Sequence, residues 1–108
     1  MAYSSRYQPE TLDRAAVDAA PGPRVLEFGT NWCGHCRAAQ PLIQAALADH
    51  PDLEHLKVED GKGRPLGRSF RVKLWPTLIF LRDGQEVARL VRPGDPAEIG
   101  EALARLTG

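Results

Sequence analysis

Arg24-Val25-Leu26-Glu27-Phe28-Gly29-Thr30-Asn31-Trp32-Cys33-Gly34-His35-Cys36 is the stretch on which the fold turns. Residues 24–29 read as a short buried strand whose apolar run after Arg24 is interrupted only by Glu27. A helix begins near the two cysteines and runs to about Asp49, with Ala39, Leu42, Ile43, Ala46 and Leu47 at helical spacing. Pro41 lies inside that pattern and predicts a kink, because a mid-helix proline has no N–H to donate and crowds the previous turn. His50-Pro51-Asp52 closes the helix, and residues 53–58 follow as a second strand.

Upstream, Pro9 opens a predicted helix over residues 10–19, with Leu12, Ala16, Val17 and Ala20 on one face. Pro21-Gly22-Pro23 ends it. Residues 3–7 are too short and polar to define a strand, and residues 1–8 are expected to be poorly ordered. Downstream, residues 60–67 form a polar loop with three glycines and a proline, and a helical turn is expected at 69–72. Residues 77–81 (Thr-Leu-Ile-Phe-Leu) are the most strand-like run in the chain. Asp83-Gly84 turns tightly into a strand at 86–91. Asp95-Pro96-Ala97-Glu98 combines an N-cap, a proline at the first helical position and an acid at the third, much as in a capping box. The helix it starts buries Ile99, Ala102, Leu103 and Leu106. Strand–helix–strand with a right-handed crossover gives a parallel pair, and the hairpin adds antiparallel strands. The expected architecture is α/β, a small mixed sheet with helices on both faces.

The bulk numbers fit one domain spanning residues 1–108: 43% of residues are hydrophobic and 26% charged. Fourteen basic residues balance fourteen acidic ones, which argues against a nucleic-acid partner. No run approaches the ~20 apolar residues of a membrane span, and the first nine residues have no apolar run that could act as a signal peptide. The expectation is a cytoplasmic monomer. Its two cysteines are then no structural staple, since that compartment reduces ordinary disulfides. A C-x-x-C pair there reads as redox-active or metal-binding.

Cysteines three apart at a helix start share one face, about 5–6 Å apart at Cβ, and close to a disulfide with little movement. Cys33 falls in the first turn, where free backbone N–H groups and the helix dipole stabilise an anion, so it is the candidate nucleophile. Cys36 would resolve the mixed disulfide. Gly34 keeps the tip open to a partner chain. His35 sets a polar ring between the thiols and favours the reduced form, which makes the disulfide more oxidising.

These residues resemble the thioredoxin family along nearly the whole chain. Trp32-Cys33-Gly34-His35-Cys36 is similar to the family's W-C-G-x-C, in the His variant best known from protein disulfide isomerase domains. Pro41 matches the proline of the active-site helix, and Trp75-Pro76-Thr77 looks like the cis-proline loop. Glu27 falls on the family's buried acid, Lys57 on the lysine that partners it, and Gly94 on a glycine of the substrate groove. The resemblance implies a thioredoxin-like fold and a thiol–disulfide oxidoreductase acting on protein disulfides. Its only redox centre would be the dithiol, recharged by a reductase or by glutathione. Glu27, with a pKa raised by burial, would carry protons to and from Cys36. Two positions depart from the family. Gly29 stands where a Trp or Tyr is usual, which removes one wall of the pocket. Trp75 stands where a smaller residue is usual.

Other readings of the same residues compete with this one. Cys33, Cys36, His50 and His55 have the spacing of a zinc finger, yet Pro51 would break any helix carrying both histidines, so both are expected at the surface and no metal site is assigned. Glu27 could be a simple ion pair with Lys57. Trp32 is expected to pack under the active-site loop, and Trp75 to contact substrate or cover the core. Oxidase or isomerase activity, and a binding or chaperone-like module with an incidental dithiol, are the functional alternatives.

Overall fold

In the computed structural model, which describes residues 3–9 and 11–108, the strand Pro23–Gly29 (β1) is buried from Arg24 onward. Burial on both faces explains its near-continuous apolar run. Because side chains alternate, Val25 packs into a core with Ala39, Ile43, Leu47, Ile99 and Leu103. Leu26 and Phe28 join Val17, Leu66 and Phe70 on the opposite side. Glu27 and Gly29 share the face of Val25, and that parity sets a carboxylate beneath the cysteine-bearing helix.

The elements around β1 occur in the order α1 (Arg14–Ala19), β1, α2 (Gly34–Leu47), β2 (Glu54–Glu59), α3 (Pro65–Ser69), β3 (Thr77–Arg82), β4 (Gln85–Val91) and α4 (Pro96–Thr107). The sheet order is β2-β1-β3-β4, with β1 and β2 parallel and the β1–β3 and β3–β4 pairs antiparallel. Helices α2 and α4 cover one face, α1 and α3 the other. The mixed sheet with helices on both faces is as expected. Asp83 and Gly84 both have positive φ, 51° and 79°, the backbone that a two-residue hairpin turn requires. Asp95 caps α4 by accepting from the Ala97 N–H at 2.9 Å. Asp95→Ala is expected to cost about 1 kcal/mol, read as a lower urea midpoint at unchanged slope.

Three local expectations need correction. The first helix starts at Arg14, not at residue 10, because the Asp13 carboxylate accepts from the Ala16 N–H and supplies the cap; Glu10 lies outside the described residues. Of its expected apolar face only Val17 is buried, and Ala16 is exposed. The short helix lies at Pro65–Ser69 rather than 69–72, with Pro65 in its first turn and Leu66 driven into the core. Residues 3–8 are not a strand, yet they are tied down. Gln8 forms a single parallel bridge with Val58, Tyr7 exchanges backbone bonds with the Asn31 side chain, and Ser4 bonds His55 twice.

Candidate active site

Cys33 is the N-cap of α2. Its extended backbone (φ −77°, ψ 123°) turns the sulfur over the first helical turn, where Sγ accepts the Cys36 N–H at 3.3 Å. Gly34, the first helical residue, is exposed with open space around it. Cys36, one turn further, is fully buried, whereas Cys33 keeps 9% of its surface. Both thiols are free.

The two sulfurs diverge in acidity. Burial pushes the Cys33 thiol up. The Cys36 thiol, the backbone N–H groups of Cys36 and His35 and the charge of Arg92 outweigh it, so Cys33 sits below the ordinary cysteine range. Cys36 is pushed up to about 11, first by burial and then by the Cys33 sulfur beside it; the Thr30 backbone and the nearby Tyr7 hydroxyl only partly oppose this. These opposite shifts favour a thiolate at Cys33 beside a thiol at Cys36.

The His35 ring, expected beside the thiolate, is exposed and has no hydrogen-bond partner among the described residues; only the backbone N–H of His35 serves Cys33. Trp32 is 75% exposed, so it does not pack under the loop as expected. Its ring meets Trp75 edge to face at 5.8 Å, and Trp75 packs against the cluster of Tyr7, Cys33 and Cys36. Asp60 anchors the Trp75 indole N–H at 2.8 Å. The Trp75–Pro76 peptide is cis, Pro76 is buried, and Thr77 is held by a 2.6 Å bond from its hydroxyl to the Leu74 carbonyl. Arg92 closes the loop, donating from its backbone N–H to the Pro76 carbonyl at 2.9 Å and from Nε to the Trp75 carbonyl at 2.8 Å. Gly94 is exposed with nothing within 4 Å of a would-be Cβ, so no packing in the free protein requires glycine there.

Beneath the thiols lies a buried polar column that differs from the expected Glu27–Lys57 pair. Glu27 Oε1 faces His55 Nε2 at 2.9 Å, and Oε2 accepts from Gln40 Nε2 at 2.8 Å and from the Tyr7 hydroxyl. The Ser4 N–H donates to His55 Nδ1 at 2.9 Å, which leaves the ring proton on Nε2 to be given to Glu27. His55 is therefore no surface residue; it is 3% exposed with both ring nitrogens engaged. Lys57 reaches Glu27 only through Gln40. Its Nζ donates to Gln40 Oε1 at 2.7 Å and to the Ser5 carbonyl at 3.1 Å, because Tyr7 and Gln40 stand between the charges. Burial pulls the Lys57 pKa down against the attraction of Glu27 and Cys36.

The expected raised pKa of Glu27 is also corrected. Burial alone would raise it, but donors from His55, Tyr7 and Gln40 overcome burial and hold the carboxyl below its usual range. The missing wall at Gly29 has a physical account too. A Cβ there would lie 2.5 Å from the Cys36 sulfur and 2.8 Å from the Tyr7 hydroxyl, so the space a larger residue would take is filled by Tyr7. Tyr7, Gln40, His55 and Arg92 were not singled out as site residues from the sequence. For His55 a signal existed: it alternates with Lys57 along β2, on the face where Glu27 lies in β1.

Comparison with known proteins agrees with this geometry. The Thioredoxin family model matches residues 7–105. The structure of thioredoxin 2 from Pseudomonas aeruginosa PAO1 in its reduced form superposes with a TM-score of 0.88 at 57% identity, covering 98% of each chain. Thioredoxin of Chlamydia muridarum is 38% identical over 94 residues, 86% of this chain and 91% of that one. Fasciola hepatica thioredoxin aligns over 82% of this chain and 85% of its own, at 27% identity and a TM-score of 0.69. With a C-x-x-C dithiol capping α2, a mixed four-stranded sheet and these relatives, the chain belongs to the thioredoxin family and is a thiol–disulfide oxidoreductase working through Cys33 and Cys36.

Proposed function

We propose that the chain works as a reductase of protein disulfides, with Cys33 as attacking thiolate, Cys36 as resolving thiol and Glu27 as proton acceptor. The observation that carries this reading is the placement of the two sulfurs: Cys33 at the helix cap, partly exposed and accepting the Cys36 N–H at 3.3 Å, and Cys36 fully buried one turn deeper. The Cys33 thiolate attacks one sulfur of the substrate disulfide and the other leaves as a thiolate. Cys36 then attacks Cys33; the mixed disulfide breaks, the second substrate thiolate leaves, and the Cys33–Cys36 disulfide forms. Two electrons pass from the dithiol to the substrate, so no further cofactor is required.

Timing follows from the influence of one sulfur on the other. While Cys33 is a thiolate, its charge and its bond to the Cys36 proton help to keep Cys36 protonated. Once Cys33 is tied to substrate, both effects vanish and Cys36 is more easily deprotonated as it is needed. Glu27, kept ionised by three donors, carries no proton of its own and is the buried carboxylate beneath the thiols that could receive this one. Pro76 has no N–H to compete for a bound strand, and Gly94 leaves room for one. Trp32, Leu74 and Val91 are the exposed large hydrophobic residues among those described. Val91 pairs with Thr77 and Leu74 accepts the Thr77 hydroxyl, so all three border the cis-proline loop or the dithiol, where a substrate chain would cover them. The chain is read as a monomer. The same reading sets the protein in a reducing compartment such as the cytoplasm. A disulfide reductase or glutathione would return the electrons. Among the described residues no helix is long and apolar enough to cross a membrane.

Equilibration in graded mixtures of reduced and oxidised glutathione, followed by trapping of free thiols, tests the direction. The Cys33–Cys36 disulfide is expected to persist in all but strongly reducing mixtures, as the oxidised form of a good reductant does. A pair already reduced by mild glutathione would mean an oxidase or isomerase instead, and no reversible disulfide would overturn the reading altogether.

A further inference from the structure

The route between Cys36 and Glu27 is occupied. The Tyr7 hydroxyl donates to Glu27 Oε2, and it flanks the Cys36 sulfur: a Cβ placed on Gly29 would meet that sulfur at 2.5 Å and the phenol oxygen at 2.8 Å. Tyr7 is 3% exposed, with its backbone and its side chain both held. Asn31 pairs with both its N–H and its carbonyl at 2.9 and 3.2 Å, the Lys57 ammonium lies 4.4 Å from the ring centroid, and Gln40 approaches the hydroxyl at 3.5 Å. Gly29 makes the placement possible, since any Cβ there would collide with both the sulfur and the phenol oxygen.

We propose that Tyr7 is a catalytic residue, its hydroxyl relaying the proton from Cys36 to Glu27 while Cys36 resolves the mixed disulfide. The proposal rests on the reading of Glu27 as proton acceptor and names the path by which the proton reaches it. In the step, the Cys36 S–H bond breaks and its proton passes to the Tyr7 oxygen. The Tyr7 proton passes to Glu27 Oε2, and the carboxylate becomes a neutral acid. The freed Cys36 sulfur forms its bond to Cys33, the bond from Cys33 to the substrate breaks, and the substrate leaves as a thiolate. Charge is conserved: one carboxylate is consumed and one thiolate released.

The two transfers must be concerted. Burial, the Glu27 charge and its hydrogen bond, and then Cys36, hold the phenol far above its ordinary pKa, so a free tyrosinate is not accessible as an intermediate. Gln40 and His55 position the acceptor and do not touch the sulfur: Gln40 bonds the Cys36 carbonyl and Glu27 at 2.8 Å each. Tyr7 bonds Glu27 and packs in one cluster with Cys33 and Cys36.

The test is a rapid-mixing measurement of resolution, the release of the second thiol from a disulfide-bonded peptide, for the parent, Tyr7→Phe, Glu27→Gln and the double variant. Tyr7→Phe keeps the ring and is expected to slow resolution by about 10- to 100-fold, the range of a positioned proton-transfer group. Alkylation of Cys33 by iodoacetamide is expected to stay within about twofold, since Tyr7 does not bond that sulfur. If the two groups act in series, the double variant is no slower than the slower single variant. Losses that multiply would overturn the relay. Slow Glu27→Gln with unchanged Tyr7→Phe would overturn the relay and leave Glu27 as acceptor; two unchanged single variants would overturn both. The unmodified protein gives an independent readout. In mixtures of H2O and D2O the resolution rate is expected to curve with deuterium content, because two protons move, and a straight line would overturn the relay.

Discussion

Cys33→Ser is expected to lower disulfide-reducing turnover by more than about a thousandfold, while Cys36→Ser is expected to stop at a trapped adduct with substrate. The asymmetry follows from geometry. Cys33 alone combines residual exposure with a thiolate-stabilising helix cap, so its loss removes the attacking sulfur and a serine hydroxyl stays protonated in its place. Cys36 has no exposed surface and is pushed up to about 11, so it cannot replace Cys33 as first attacker. With serine at position 36 the first attack proceeds and nothing releases the mixed disulfide. Intact-mass measurement after exposure to a disulfide-bonded peptide distinguishes the cases: one covalent adduct for Cys36→Ser, none for Cys33→Ser. An adduct on Cys36 in the Cys33→Ser variant would reverse the assignment. The pH dependence has a fixed sign. Because the Cys33 pKa is lowered, its alkylation at pH 7 is expected to exceed that of an ordinary cysteine, falling only as the pH drops through the lowered value.

His55→Phe is expected to destabilise the protein by about 3 kcal/mol at neutral pH, although residue 55 touches neither sulfur. The ring donates to the fully buried Glu27 carboxylate, and removing one donor leaves that charge with Tyr7 and Gln40 alone. Phenylalanine keeps most of the volume beside Tyr3, whose ring lies 5.6 Å away, so the loss reports the polar contact and not a cavity. For a chain of this size such a loss lowers the melting temperature by roughly 10–20 °C. The dependence on pH is a sharper check. Glu27 has a folded-state pKa below its unfolded value, so its stabilisation is complete above the unfolded pKa of about 4.3 and is lost as the pH falls through the folded value. The gap between parent and variant is therefore expected to be largest near pH 7 and to shrink below about pH 4, where a protonated Glu27 no longer needs the donor. A gap that stayed constant with pH would mean that His55 acts by packing alone. His55→Gln, which restores an N–H, is expected to lose less.

Much of this protein was legible before folding because the signals are local. Turn chemistry at Asp83-Gly84, the Asp95 cap and the helical spacing of Ile99, Ala102, Leu103 and Leu106 need no distant partner to be read. The dithiol was legible for the same reason: a helix start brings two cysteines three apart together whatever surrounds it. The first helix was misplaced because Pro9 and Asp13 are both plausible starts, and only the Asp13 side chain is bonded to a helical N–H. The short helix was misplaced because its driving force, the burial of Leu66 beside Phe28 and Phe70, comes from a sheet formed elsewhere in the chain.

The partners of Glu27 were a different matter. An acid in an apolar strand announces that it needs donors, but not which ones. Lys57 is its direct neighbour across the sheet, yet the bonds come from His55 two residues earlier on β2, from Gln40 on α2 and from Tyr7 in a segment with no regular structure. The reach of each side chain and the space left by Gly29 decide that choice, and neither is a property of neighbouring residues along the chain. Local chemistry was enough to specify the architecture and the identity of the two working sulfurs. Which groups hold the charge beneath them, and so how a proton leaves Cys36, was decided by packing, because a buried carboxylate takes whichever donors the assembled core brings within about 3 Å.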